Sequence, residues 1–157
     1  MTLCPKCHID KDRCECAPNG IFFDVDLHIY PYKIHFSFSQ NDSDFIDSLR
    51  DCRIRKKDIL AHEYKLDGAD AITIHYEDYH KCVIRCKRIP KTPNSKGDLS
   101  HEIDHAVKKI LNKLGLYRTN ASEEAFTYLT GYITTQAYTK LRRVDVGSAV
   151  FPVASTL

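Results

Sequence analysis

Two blocks of alternating apolar and polar residues precede two blocks with apolar residues every three or four positions, and this order predicts an α+β domain. Four cysteines within the first sixteen residues predict a small separate module ahead of it. A chain of 157 residues accommodates one domain with such an appendage. The expected division is a cysteine module at 1–20, the main domain at 21–143 and a tail at 144–157.

The first segment is rich in Cys, Lys and Asp and ends in Pro18-Asn19-Gly20, a turn signal. Phe23, Val25, Leu27 and Ile29 then alternate with Asp24, Asp26 and His28. Tyr32, Ile34, Phe36 and Phe38 alternate with Lys33, His35 and Ser37. Period two predicts half-buried strands, and Pro31 between them predicts a bend or a sheet edge. Asn41 or Asp42 can cap a short helix carrying Phe45, Ile46 and Leu49 on one face. Residues 50–65 are charged and give no clear assignment, and Asp67-Gly68 is a turn signal.

Ile72, Ile74 and Tyr76, then Cys82, Ile84 and Cys86, resume the alternation across four polar residues, which predicts a hairpin. Pro90 and Pro93 end it. Leu99, Ile103, Ala106, Val107, Ile110, Leu111 and Leu114 predict a helix, with Asp98 as N-cap and Gly115 just past its end. A second helix is expected from Ser122 to about Tyr138, with Phe126, Leu129, Ile133 and Ala137 as its stripe.

Hydrophobic residues make up 43% and charged residues 28%, enough for a packed core. Lys and Arg number 23 against 21 Asp and Glu, a formal charge of +2. That balance excludes a strongly basic nucleic-acid coat, although not a local patch. No apolar run approaches the roughly 18 residues of a membrane span, and the first residues lack a signal-peptide core. A soluble, cytoplasmic protein is expected. Seven cysteines, an odd number without a secretory signal, argue against a disulfide framework and for metal.

Residues 101–105 read His-Glu-Ile-Asp-His. Histidines at i and i+4 lie one turn apart on a helix and can converge on one metal at about 2.0–2.1 Å. Glu102 projects about 100° away, as helical geometry requires. It can reach a water at the metal without being a ligand, the role of a general base. The apolar stripe centres nearly opposite the histidines, so it can bury while they face a cleft. The plainer alternative is two exposed histidines on a solvated face. A hydrolytic zinc needs a third protein ligand, expected from the next helix, where Glu123 and Glu124 both lie off the apolar stripe.

His101-Glu102-Ile103-Asp104-His105-Ala106-Val107, followed by Ser122-Glu123-Glu124-Ala125-Phe126, resembles the gluzincin zinc metallopeptidases, the clan of thermolysin. The resemblance covers roughly residues 70–140. It implies a minimal zincin-like domain: a small mixed or antiparallel sheet, an active-site helix and a following glutamate helix. It implies Glu124, directly before Ala125, as the third ligand, with Glu123 as helix-start charge or support. It also implies an edge strand that pairs with an extended substrate, assigned by analogy to 81–88. The brevity is similar to small phage- and prophage-encoded metallopeptidase-like proteins, for which the host cytoplasm is the expected compartment. It is similar also to the Spartan-like proteases, whose zinc module follows the protease domain; here the cysteines come first. An oxyanion stabiliser is expected beside the metal, and His75, Tyr76 and Tyr128 are candidates, each with a purely structural alternative.

Cys4, Cys7, Cys14 and Cys16 form two short knuckles, Cys-x-x-Cys and Cys-x-Cys. Four thiolates at about 2.3 Å satisfy a closed structural zinc, and metal binding would supply folding energy to a segment almost without aliphatics. His8 is an alternative ligand. Lys6, Lys11 and Arg13 are offset by Asp10, Asp12 and Glu15, and no aromatic residue offers a stacking platform. Cys82 and Cys86 read as small buried hydrophobes, Cys52 carries no signal, and Arg55-Lys56-Lys57 reads as solvated surface.

These readings converge on a zinc peptidase with one catalytic and one structural zinc, acting on a protein or peptide. Two alternatives stand beside it. One is a catalytically silent zincin-fold adaptor or regulator that binds a protein partner. The other, disfavoured by the near-neutral charge, is a nucleic-acid-binding knuckle protein.

Overall fold

The computed structural model describes residues 20–145. Cys4, Cys7, Cys14 and Cys16, and nearly all of the 144–157 tail, therefore lie outside the described residues. The rest is α+β. Four strands, β1 (Ile21–Asp26), β2 (Lys33–Phe38), β3 (Ala71–Tyr76) and β4 (Lys81–Cys86), form one mixed sheet in the order β1-β2-β4-β3. Four helices accompany it: α1 (Asp42–Asp51), α2 (Lys56–Leu60), α3 (Pro93–Lys113) and α4 (Glu123–Asp145). Among the described residues, no helix is long and apolar enough to cross a membrane.

β1 and β2 form an antiparallel hairpin whose connection contains Pro31, where its missing N–H costs no ladder bond. β3 and β4 form the second hairpin, joined by a single 3-10 turn at Glu77–Tyr79. The two hairpins meet through parallel pairing of β2 with β4. This arrangement corrects the expectation that 81–88 is an edge strand. Among the described residues β4 is internal, and the edges are β1 and β3.

Both faces of the sheet are covered. Ile34, Phe36, Phe38, Cys82 and Ile84 pack against Leu99, Ile103, Val107 and Ile110 of α3 and Phe126, Leu129 and Ile133 of α4. Burying each large side chain of α3 contributes about 1.5–3 kcal/mol before the entropic cost of ordering it. On the other face, Ile74, Tyr76 and Val83 pack against Phe45 and Leu49 of α1 and Ile59 of α2. The expectation of half-buried strands therefore fails at His35, Ser37, Val83 and Arg85, all buried. Arg85 is accommodated because Nη2 donates to Asp42 Oδ1 at 2.7 Å and Nη1 to Tyr64 O at 2.7 Å, with the guanidinium over the Phe45 ring.

Asn41 caps α1, its side chain accepting from the Asp44 N–H. α3 begins earlier than expected, at Pro93 rather than after Asp98. Thr92 and Ser95 form a capping box, and Pro93 occupies the first turn, where its missing N–H is harmless. Gly115 follows α3 at φ 81°, a left-handed position that favours glycine. α4 begins one residue after Ser122 and extends past Tyr138.

Candidate metal centre

α3 lies across β3 and β4 with its apolar stripe against the sheet. Its opposite side carries His101 and His105, both exposed. Their Nε2 atoms lie 2.9 Å apart, and the rings meet edge to face. Two nitrogens on a tetrahedral zinc lie roughly 3.3 Å apart at Zn–N bonds of about 2.0–2.1 Å. A separation of a few tenths of an ångström brings the pair to that geometry, so the donor set fits zinc.

Glu102 is buried on the flank of α3 that faces β3, only 8% exposed. Its carboxylate and the two imidazoles bring their donor atoms within 4.8 Å of one another. Thr73, on the edge strand, orients that carboxylate: its Oγ1 donates to Glu102 Oε2 at 2.6 Å. Thr73 is the site residue that sequence reasoning missed. Its position two residues before His75, on the strand preceding the motif helix, was the only available signal.

The candidate third ligands separate. Glu123 is held by Arg118, whose Nε and Nη2 donate to its two carboxylate oxygens at 3.2 and 3.1 Å. The same guanidinium reaches Asp104 of α3 at 3.3 Å and lies over the Phe126 ring. This bridge ties the first turn of α4 to the motif helix beside His105. The Glu124 side chain makes no hydrogen bond or ion pair with any described residue and is exposed. Its carboxylate is not part of the group formed by His101, Glu102 and His105.

A cleft beside β3 is lined by His62, Thr73, His75, Glu102, His105 and Lys109. Lys109 Nζ donates to the Thr73 carbonyl at 3.1 Å. His75 stacks on Tyr32, and its Nε2 is buried without a hydrogen-bond partner. Burial holds the His75 pKa below the usual imidazole range, against the opposing pull of Glu77. The other two oxyanion candidates lie elsewhere. Tyr76 points into the core beneath α1 and α2, where burial raises its pKa, and Tyr128 is 63% exposed on α4.

Comparison with protein-family models, curated proteins and solved structures found no match to this chain.

Proposed function

We propose that the chain is a zinc-dependent peptidase of the gluzincin type its motif resembles, acting on an extended protein or peptide. One observation carries this reading: His101, His105 and Glu102 converge beside a strand edge that no other strand pairs with among the described residues. His101 and His105 would hold the zinc, with Glu124 as third ligand. Glu124 is the better candidate because Arg118 already occupies both oxygens of Glu123. Its exposed side chain has the rotamer freedom to be recruited. When bound, zinc supplies the Lewis acidity that makes a water acidic near neutral pH.

Glu102 acts as general base. Thr73 holds Oε2, which leaves Oε1 to take a proton from the attacking water. The same carboxylate then passes that proton to the leaving amine nitrogen. β3 offers the backbone groups of its unpaired edge to the substrate, as in strand addition, with Lys109 giving up the Thr73 carbonyl when the substrate pairs there. Of the three oxyanion candidates His75 alone lines the cleft with Glu102 and His105, and it is the one assigned to stabilising the developing oxyanion. The zincin-like architecture and the Cys4, Cys7, Cys14 and Cys16 zinc knuckle belong to the same proposal.

The decisive experiment pairs Glu102→Gln with zinc analysis and a broad peptide library. Cleavage should fall by about 10²–10⁴-fold while the metal content is kept. Unchanged cleavage would sink the reading. The position of Glu124 outside the histidine group favours one alternative, a metal-holding adaptor without turnover. A fully zinc-loaded wild-type chain that cleaves no library member would select it.

A further inference from the structure

A second convergence of donor atoms lies on the opposite face of the sheet. Asp24 and His35 are directly paired across β1 and β2. Their side chains point away from α3, toward the end of α1, where Cys52 forms its C-cap. His35 Nδ1 lies 2.7 Å from Asp24 Oδ1 and 3.4 Å from Cys52 Sγ. Cys52 Sγ lies 3.7 and 3.8 Å from the two Asp24 oxygens.

We propose that Asp24, His35 and Cys52 form a further zinc site, independent of the His101–His105 centre. A tetrahedral zinc places an imidazole nitrogen, a thiolate and a carboxylate oxygen roughly 3.3–3.6 Å apart, by the bond lengths of about 2.0–2.3 Å. Two of the three separations already match that range closely. Only the nitrogen–oxygen pair must open, and Asp24, whose side chain is 36% exposed, has room to move.

The surroundings of His35 select the ligating nitrogen. Ser48 Oγ donates to the Phe45 carbonyl at 2.8 Å. It therefore accepts from His35 Nε2, 3.2 Å away. That bond lets Nε2 keep its proton when zinc displaces the one that Nδ1 shares with Asp24, so that the Nδ1 lone pair would turn to the metal with the outer support that ligating histidines ordinarily have. His35 is fully buried, so its ring cannot turn to an alternative partner. Sulfur, nitrogen and carboxylate together suit zinc rather than calcium or magnesium. Lys81 reaches Asp24 Oδ2 at 4.0 Å and donates to the Cys52 carbonyl at 3.0 Å. It engages Oδ2 and leaves Oδ1 for the metal. Asp24 and Cys52, both partly exposed, give the ion access and leave a fourth position for water. The competing occupant is a proton on Nδ1, hydrogen-bonded to Asp24.

Metal counting on the full chain separates the two. Saturating Zn2+ followed by desalting should leave Cys52→Ser and Asp24→Asn each with one zinc fewer than wild type. The double variant Cys52→Ser/His101→Ala should lose two, because the sites are independent. Folding of each variant is checked by circular dichroism. A second measurement uses the wild-type chain alone: Zn2+ should slow iodoacetamide labelling of Cys52 by about tenfold or more, read on the peptide that contains it, since a ligated thiolate is not free to attack. An unchanged zinc count in both folded variants would overturn the site. So would equal labelling of wild-type Cys52 with and without Zn2+.

Discussion

Thr73 Oγ1 donates to Glu102 Oε2 at 2.6 Å, linking the edge strand to the middle of the His-Glu-x-x-His helix. The bond crosses from β3 to α3 and sets the direction of a carboxylate that is otherwise enclosed by protein. Removing the hydroxyl while keeping the shape, as in Thr73→Val, should lower kcat/KM by about 10–100-fold with zinc content unchanged. Thr73→Ser should restore most of the activity. Full activity in Thr73→Val, which keeps the methyl and lacks the hydroxyl, would show that the hydrogen bond does not position Glu102.

The two neighbouring glutamates of α4 give opposite expectations. Glu124→Ala should release about one equivalent of zinc from the chain, since a hydrolytic site needs three protein ligands. Glu123→Ala should keep the metal. Its contacts with Arg118 are half-exposed, and exposed ion pairs contribute about 0–1 kcal/mol. Elemental analysis of the two variants decides between them, and the reverse pattern would transfer the ligand role to Glu123.

His75 links the cleft to pH. Its folded pKa is lowered by burial, so the folded state binds this proton less readily than the unfolded chain. The stabilising contribution is full above the unfolded value of about 6.5 and is lost as pH falls toward the lower folded value. The His75 contribution to the urea midpoint should therefore fall between pH 7 and pH 5, against the opposite contribution of His35, where, against burial, Asp24 raises the pKa. His75→Phe, which keeps a ring against Tyr32 and removes the buried unpartnered nitrogen, should flatten part of that slope. Parallel pH profiles for the two proteins would rule His75 out as a contributor.

Cys82 and Cys86 are buried on the face of β4 beneath α3, and burial pushes both thiols up to about 12. Native protein at pH 8 should leave both unlabelled by iodoacetamide, while urea exposes them to reaction. Labelling of either in the folded state at the rate of a free thiol would indicate local opening of the α3–sheet contact.

Much of the fold is legible in local pattern. Period two marked all four strands, and the spacing of Leu99, Ile103, Val107 and Ile110 marked α3, because backbone geometry alone fixes which side chains share a face. Gly115 and Asn41 announced helix ends through their own backbone and capping chemistry. The short α2 was missed because only Ile59 of its five residues is buried, too few to show a period.

The order of the strands was not legible. Pairing β2 with β4 joins segments far apart in sequence, and no local pattern records which strand becomes the edge. That choice made β3, not β4, the edge strand that reaches Glu102 of the motif helix.

The same division runs through the candidate sites. His101, Glu102 and His105 lie within five residues on one helix, so the 3.6-residue turn was enough to bring them together. Thr73 reaches Glu102 only because β3 packs under α3, and Arg118 sorts Glu123 from Glu124 only because α4 returns beside Asp104. Asp24, His35 and Cys52 are separate in sequence and carry no motif. A strand register and the end of a helix bring them within bonding distance. Local geometry thus determined the motif and its helix, while long-range packing decided what surrounds it, because contacts between distant segments depend on the whole core rather than on any one stretch of chain.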